Sequence, residues 1–216
     1  MKRHQNGKLF WHGRRFSPLP LQSRAECAII IQQTRKKALS LKKLTLRRMV
    51  LTALFAALTC AATLVIQIPS PTNGYFNLGD CFVLLGAFVL GPWLGGFAGG
   101  VGSMIADLIS YPMYAPATLV IKALMAILAG LILRAFAKRS RYITGETLGA
   151  LCGELVMMAG YFTFEAVLYD PASALGSLLL TNLPQAGVGF AATLALCVVL
   201  EKAHLMNKLR GGMLHA

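Results

Sequence analysis

From Met49 the chain reads MVLTALFAALTCAATLVIQI, 20 residues without one charged side chain. A helix rising 1.5 Å per residue needs about 20 apolar residues to cross the ~30 Å hydrocarbon core of a bilayer, and this run has that length. Lipid offers no partner for backbone amides, so such a segment crosses as a helix. The rest of the chain is of the same kind: 56% of its 216 residues are hydrophobic, 13% are charged, and the mean hydropathy is +0.62. At about 20 residues per span plus short loops, that length provides roughly six transmembrane helices and little else.

The net charge of +13 would suit a nucleic-acid-binding protein, but its distribution points elsewhere. Thirteen of the 21 Lys and Arg precede Met49, four (Arg134, Lys138, Arg139, Arg141) share one connection, and three (Lys202, Lys208, Arg210) follow the last apolar run. Basic residues accumulate on the cytoplasmic side of membrane helices. Helices near 49–68, 80–90, 94–109, 115–137, 143–168 and 174–204 put every basic cluster on that side. The expected architecture is therefore all-α, an integral membrane protein with six transmembrane helices and both termini cytoplasmic. Pro92, Pro112 and Pro171 fall at turns, where they break helices at little cost.

Residues 1–41 form a basic extension ahead of a membrane domain at 42–207, and 208–216 form a short cytoplasmic tail. The extension has no apolar core with a small-residue cleavage site, so it is not read as a signal peptide. It is either an arm on the anionic inner leaflet or sequence upstream of the true start. We prefer the second reading, because KKLTLRRMVLTALFAAL would itself make an ordinary beginning for a membrane protein.

Self-contained chemistry is not expected. Cys27, Cys60, Cys81, Cys152 and Cys197 show no CxxC spacing and read as small packing residues. His4, His12, His204 and His215 lie in the terminal regions, with no HExxH to hold a catalytic metal. No GxxxxGK[ST] loop is present to bind ATP, and no GxSxG or paired GxGD motif supplies a nucleophile or an intramembrane protease dyad. The chain is read as a non-enzyme without metal or cofactor.

Small residues at four-residue spacing let helices approach closely. Ala53, Ala57 and Ala61 form one such stripe, and Gly91, Gly95, Gly99 and Gly96, Gly100 form two more; all three read first as packing surfaces. Polar residues inside a membrane cost several kcal/mol when unpaired and so carry more information. By helical rise, Lys122, Tyr161 and Asn182 lie ~10–12 Å from the outer surface, and Glu154 lies ~21 Å from it. Asp107 and Glu165 fall near the outer ends of their helices. Pro184 frees a backbone carbonyl near Gln185, which suits a wet cavity. Tyr75, Tyr111, Tyr114, Tyr161 and Tyr169 all belong to the outer half. They fit the mouth of a pocket for a small polar solute, and an interfacial aromatic belt is the alternative.

NLGDCFVLLGAFVLGPWLGGFAGGVGSMIADL followed by YPMYAPATLVIKALMAILAG resembles the substrate-binding S components of energy-coupling-factor (ECF) transporters, notably the hydroxymethylpyrimidine, vitamin B6 and riboflavin carriers. The resemblance runs from about Lys42 to the C-terminus. It implies a six-helix subunit in a prokaryotic cell membrane that captures a vitamin or precursor from outside. Such a subunit delivers its vitamin with a transmembrane coupling subunit and two ATPases, which use ATP in trans. It further implies that Ala53, Ala57 and Ala61 face the coupling subunit, reversing the packing reading. Asn77 and Asp80 would close a lid, while Tyr114, Lys122, Tyr161, Glu165, Asn182 and Gln185 are pocket candidates. Asp107 reads as a structural anchor of the vestibule. The basic extension departs from the family pattern. The alternative is a stand-alone secondary transporter or small channel, for which inverted repeats would be expected; helix three's glycines have no counterpart in helix six.

Overall fold

A computed structural model describes residues 46–65, 67–69, 75–139 and 141–210. The basic extension and residues 211–216 of the tail lie outside the described residues. Helix α1 spans Leu46–Val65; strands β1 (Gln67–Pro69) and β2 (Tyr75–Asn77) follow, and then α2 (Gly79–Leu90), α3 (Pro92–Ser110), α4 (Ala115–Ala137) and α5 (Tyr142–Leu168). The chain continues through α6 (Pro171–Ser177), a π-helical turn (Leu178–Asn182), α7 (Leu183–Lys202) and α8 (Leu205–Arg210).

Four helical segments are long and apolar enough to cross a membrane: α1, α4, α5 and the continuous Pro171–Lys202. The chain is accordingly a multi-pass helical membrane protein. Helix α2, at 12 residues, reaches only ~18 Å. Its sequence GDCFVLLGAFVL is apolar in every direction, the pattern of a helix enclosed on all sides. Val83, Leu84, Ala87, Phe88 and Val89 are indeed fully buried, with α3, α4, α7 and α8 packed around them.

The two glycine rows of α3 serve different neighbours. Gly95 and Gly99 lie against Ala87 and Val83 of α2, while Gly96 and Gly100 lie against Ala123 and Leu119 of α4. A Cβ on Gly95 would sit 2.5 Å from the Ala87 Cα, where only backbone could give way. Gly187 in α7, by contrast, has nothing within 4 Å of that position. Gly95→Ala is expected to lower the unfolding midpoint by the equivalent of about 1–3 kcal/mol. Gly187→Ala should be neutral or gain about 0.5–1 kcal/mol; thermal unfolding in detergent reads both.

Helix boundaries follow local chemistry. Gly91 closes α2 at φ 85°, a left-handed conformation glycine adopts freely, and Pro92 opens α3. The Asp170 side chain accepts from the Ala172 and Ser173 amides at 2.9 Å, capping α6. Pro184 has no N–H to offer the carbonyl four residues back, and the chain absorbs this with the π turn that ends at Asn182. The segment expected to be one helix at 174–204 is therefore α6, this turn and α7.

Two features were not anticipated. The connection after α1 carries an antiparallel hairpin pairing Gln67 with Asn77 and Ile68 with Phe76. Helix α8 crosses the boundary drawn after residue 207, and its Arg210 is buried. Arg210 pairs with Glu146 of α5 and donates from Nε to the Phe88 carbonyl at 3.0 Å, which fastens α8 under the C-terminus of α2.

Candidate substrate-binding site

At the hairpin end of the bundle, Tyr75, Asn77, Asp107, Tyr114, Tyr161, Glu165, Asn182 and Gln185 line one cleft. The eight come from six places in the chain: β2 (Tyr75, Asn77), the C-terminal part of α3, the residue before α4, the second half of α5 (Tyr161, Glu165), the π turn and the start of α7. The last two contributions depend on Pro184, since the π turn buries Thr181 and Asn182 and directs the following Gln185 inward. π turns recur at functional sites for this reason.

Six of the eight residues assigned from sequence to substrate binding line the cleft: Asn77, Tyr114, Tyr161, Glu165, Asn182 and Gln185. Asp80 and Lys122 do not. They lie one layer deeper, paired with each other and 0% and 2% exposed. Gln185 links the two layers. Its Nε2 donates to Asp80 Oδ2 at 2.7 Å, and its Oε1 accepts from the Asn77 backbone N–H at 3.0 Å and from Asn77 Nδ2 at 3.3 Å. Asn77 Oδ1 then accepts from the Gly79 amide at 2.9 Å, starting α2. The Lys122 ammonium also lies 5.3 Å from the Tyr161 ring centroid, and the Tyr161 hydroxyl lies 2.9 Å from that of Thr118.

Asp107 is both anchor and wall. Its carboxyl accepts from the Tyr75 hydroxyl, and the Tyr75 ring stacks on Tyr111 with centroids 4.7 Å apart. Gln67 Nε2 adds a bond to Ser110 Oγ at 3.0 Å, so both strands of the hairpin are tied to the end of α3. Sequence reasoning placed Tyr75 among the aromatic residues fitting a pocket mouth but did not name it among the substrate-binding residues. Its membership depends on the two-residue alternation of a strand of three residues, too short to read as a period. Asp107→Asn is expected to lower stability by about 1 kcal/mol, the worth of weakening one hydrogen bond. It should leave the ranking of ligands unchanged, which paired melting and binding measurements would check.

Burial and the neighbouring Asp107 carboxylate push the Tyr75 phenol above its ordinary pKa, and burial with Tyr169 and Glu165 does the same for Tyr114. Both therefore stay protonated at neutral pH and serve as donors. Several buried polar atoms of the cleft residues, and one of the neighbouring Ser177, are unsatisfied. Tyr114 and Ser177 turn toward Glu165, yet Tyr114 Oη, Ser177 Oγ, Glu165 Oε2 and Asn182 Nδ2 complete no hydrogen bond of normal geometry among the described residues. Leaving a buried polar group unmatched costs about 1–3 kcal/mol, and a polar ligand here would recover that cost. The free volume is about 30 Å³, room for about two waters at ~10–15 Å³ each. A ring-sized ligand must therefore open the cleft. Among the described residues, no three His, Cys, Asp or Glu side chains are grouped to hold a metal ion.

The structure is thus a multi-pass helical membrane protein with one end closed by a hairpin over unsatisfied donors and acceptors. The sequence model described as ECF-type riboflavin transporter, S component, matches residues 43–202, and the chain belongs to that family, which is a transport and not an enzyme family. A Lactococcus lactis protein named thiamine precursor transporter HmpT is 27% identical over 168 residues, covering 76% of this chain and 94% of its own length. An uncharacterised protein of Pyrococcus woesei is 42% identical over 113 residues, which is 52% of this chain and 74% of that one.

Proposed function

We propose that this chain is the substrate-capturing subunit of an ECF-type importer and that its ligand is a single-ring vitamin precursor of the hydroxymethylpyrimidine kind. The observation that carries this reading is the set of unsatisfied polar atoms, Glu165 Oε2, Asn182 Nδ2 and Tyr114 Oη, in one narrow cleft. A carboxyl and an amide lining the same cleft can supply the acceptor and donor that the edge of an aminopyrimidine needs. The narrowness of the cleft favours one ring over the three fused rings of riboflavin, and the name of the Lactococcus relative supports the same choice. Pyridoxine remains within the size and polarity that the cleft would accept.

The six-span topology with both termini in the cytoplasm, in the cell membrane of a prokaryote, is part of this proposal. It is supported by the distribution of basic residues and by the four long apolar helices, with α2 and α3 as the remaining passes. The hairpin then lies outside and acts as the lid. Ala53, Ala57 and Ala61 are all exposed on α1, opposite the buried row Thr52, Phe55, Thr59 and Thr63. An unpartnered small-residue stripe suits the approach of another membrane helix, here the coupling subunit. ATP would be hydrolysed by two partner ATPases, and this chain would bind no cofactor of its own.

Mass spectrometry of the small molecule extracted from detergent-purified protein tests the ligand assignment. A stoichiometric aminopyrimidine supports it. A flavin or a solute unrelated to vitamins would contradict it.

A further inference from the structure

Which atoms of the cleft present hydrogens to a ligand follows from the acceptors around its hydroxyls. The Tyr75 hydroxyl donates to Asp107. Thr118 turns its hydroxyl toward the same carboxyl, and its Oγ1 lies 2.9 Å from the Tyr161 hydroxyl. An ionised carboxyl can only accept, so the Thr118 proton goes to Asp107 and the Tyr161 proton goes to Thr118. Tyr75 and Tyr161 are thus left with lone pairs only. Tyr114 and Ser177 in turn face Glu165, a further acceptor for their protons.

The charges run the same way. Asp107 and Glu165 line the cleft, and no Lys, Arg or His is among its lining residues. Lys122, whose charge reaches Asp107, is buried and paired with Asp80, and those two charges cancel. The two acids of the cleft differ in what they have left to offer. Asp107 is engaged by Tyr75, whereas Glu165 Oε2 is buried and completes no hydrogen bond among the described residues. Among the lining side chains, hydrogens are offered to a ligand only by the amides, above all by Asn182 Nδ2, which also has no partner among the described residues.

We propose that the ligand of this cleft is a cation, a single ring carrying a protonated amino group that the Glu165 carboxylate holds. The inference rests on the reading of the cleft as a vitamin-precursor site and narrows its substrate class. An ammonium brings three hydrogens to a wall rich in lone pairs, and its charge keeps the facing carboxyl ionised. A hydroxyl in its place brings one hydrogen and no charge. Asn182 Nδ2 remains to donate to a ring nitrogen. An anionic ligand, such as a carboxylate or a phosphate ester, would meet two acids with no lining cation to offset them.

Calorimetric titration of the full chain in detergent at neutral pH tests this with two pairs of compounds that differ in one group. Hydroxymethylpyrimidine is compared with the analogue in which an amino group replaces its hydroxyl, and pyridoxine is compared with pyridoxamine. Each amine should bind about tenfold tighter than its alcohol, the difference between a charge-assisted and a neutral hydrogen bond. Glu165→Gln, which keeps a polar side chain of the same length and removes the charge, should bring amine and alcohol within about twofold of each other. Equal or tighter binding of the alcohols by the parent would overturn the cationic ligand and leave the vitamin-precursor reading standing. An amine preference that survives intact in Glu165→Gln would overturn the assignment to Glu165. If no member of either pair binds, the vitamin-precursor reading falls and this inference falls with it.

Discussion

Replacing Lys122 with Met should destabilise the protein by about 3–5 kcal/mol, the loss expected when one partner of a buried ion pair is removed and the other charge is left uncompensated. Asp80 is fully buried and its Oδ1 faces Lys122, so no water is at hand to replace the ammonium. The damage would spread along hydrogen bonds, because Asp80 holds Gln185 and Gln185 accepts from the backbone N–H and side-chain NH₂ of Asn77. Lys122→Met should therefore also loosen the hairpin and weaken ligand binding without Lys122 touching the ligand. Combining it with Asp80→Asn removes both charges and should recover at least half of the lost stability. Unfolding in mixed micelles reads this cycle. A single variant within about 1 kcal/mol of the parent would refute the role given to the pair.

The largest effect on binding is expected at Glu165. Its Oε2 is buried and unsatisfied on the wall of the cleft. A hydrogen bond to a charged group contributes about 1.5–3 kcal/mol, so Glu165→Ala should raise the ligand Kd roughly 10- to 150-fold. Stability without ligand should change little, because the carboxyl forms no normal hydrogen bond through Oε2 that its loss would break. An unaltered Kd would remove Glu165 from the site. The contrast with Lys122 is the informative part: one substitution acts through the ligand and the other through the fold.

Much of this was legible in the sequence because hydrocarbon imposes simple rules. Charge-free runs and basic clusters located α1, α4 and α5 to within a few residues, and glycine spacing identified the two faces of α3. The level estimate for Lys122 and Tyr161 agrees with their 5.3 Å approach, since helical rise converts sequence distance directly into depth. Local periodicity could not reveal which polar residues at one depth would pair with each other. Lys122 looked like a ligand contact because its cost was visible, and Asp80 was named a lid residue through the family resemblance; their mutual compensation, 42 residues apart, was not visible. The hairpin was hidden for a different reason: strands of three residues held by Tyr75, Asp107, Gln67 and Ser110 owe their existence to tertiary contacts. Arg210 resembled an ordinary basic tail residue, and only the position of α8 beneath α2 makes it part of the interior.

The account's central claim is capture of a small vitamin precursor without energy input, and equilibrium titration of the purified chain in detergent, with no ATP and no partner subunits, tests it most directly. The account predicts one site per chain with submicromolar affinity for hydroxymethylpyrimidine, weaker binding of riboflavin, and a much weakened isotherm in Glu165→Ala. Failure to bind any of hydroxymethylpyrimidine, pyridoxine or riboflavin, or binding unaffected by Glu165→Ala, would contradict it.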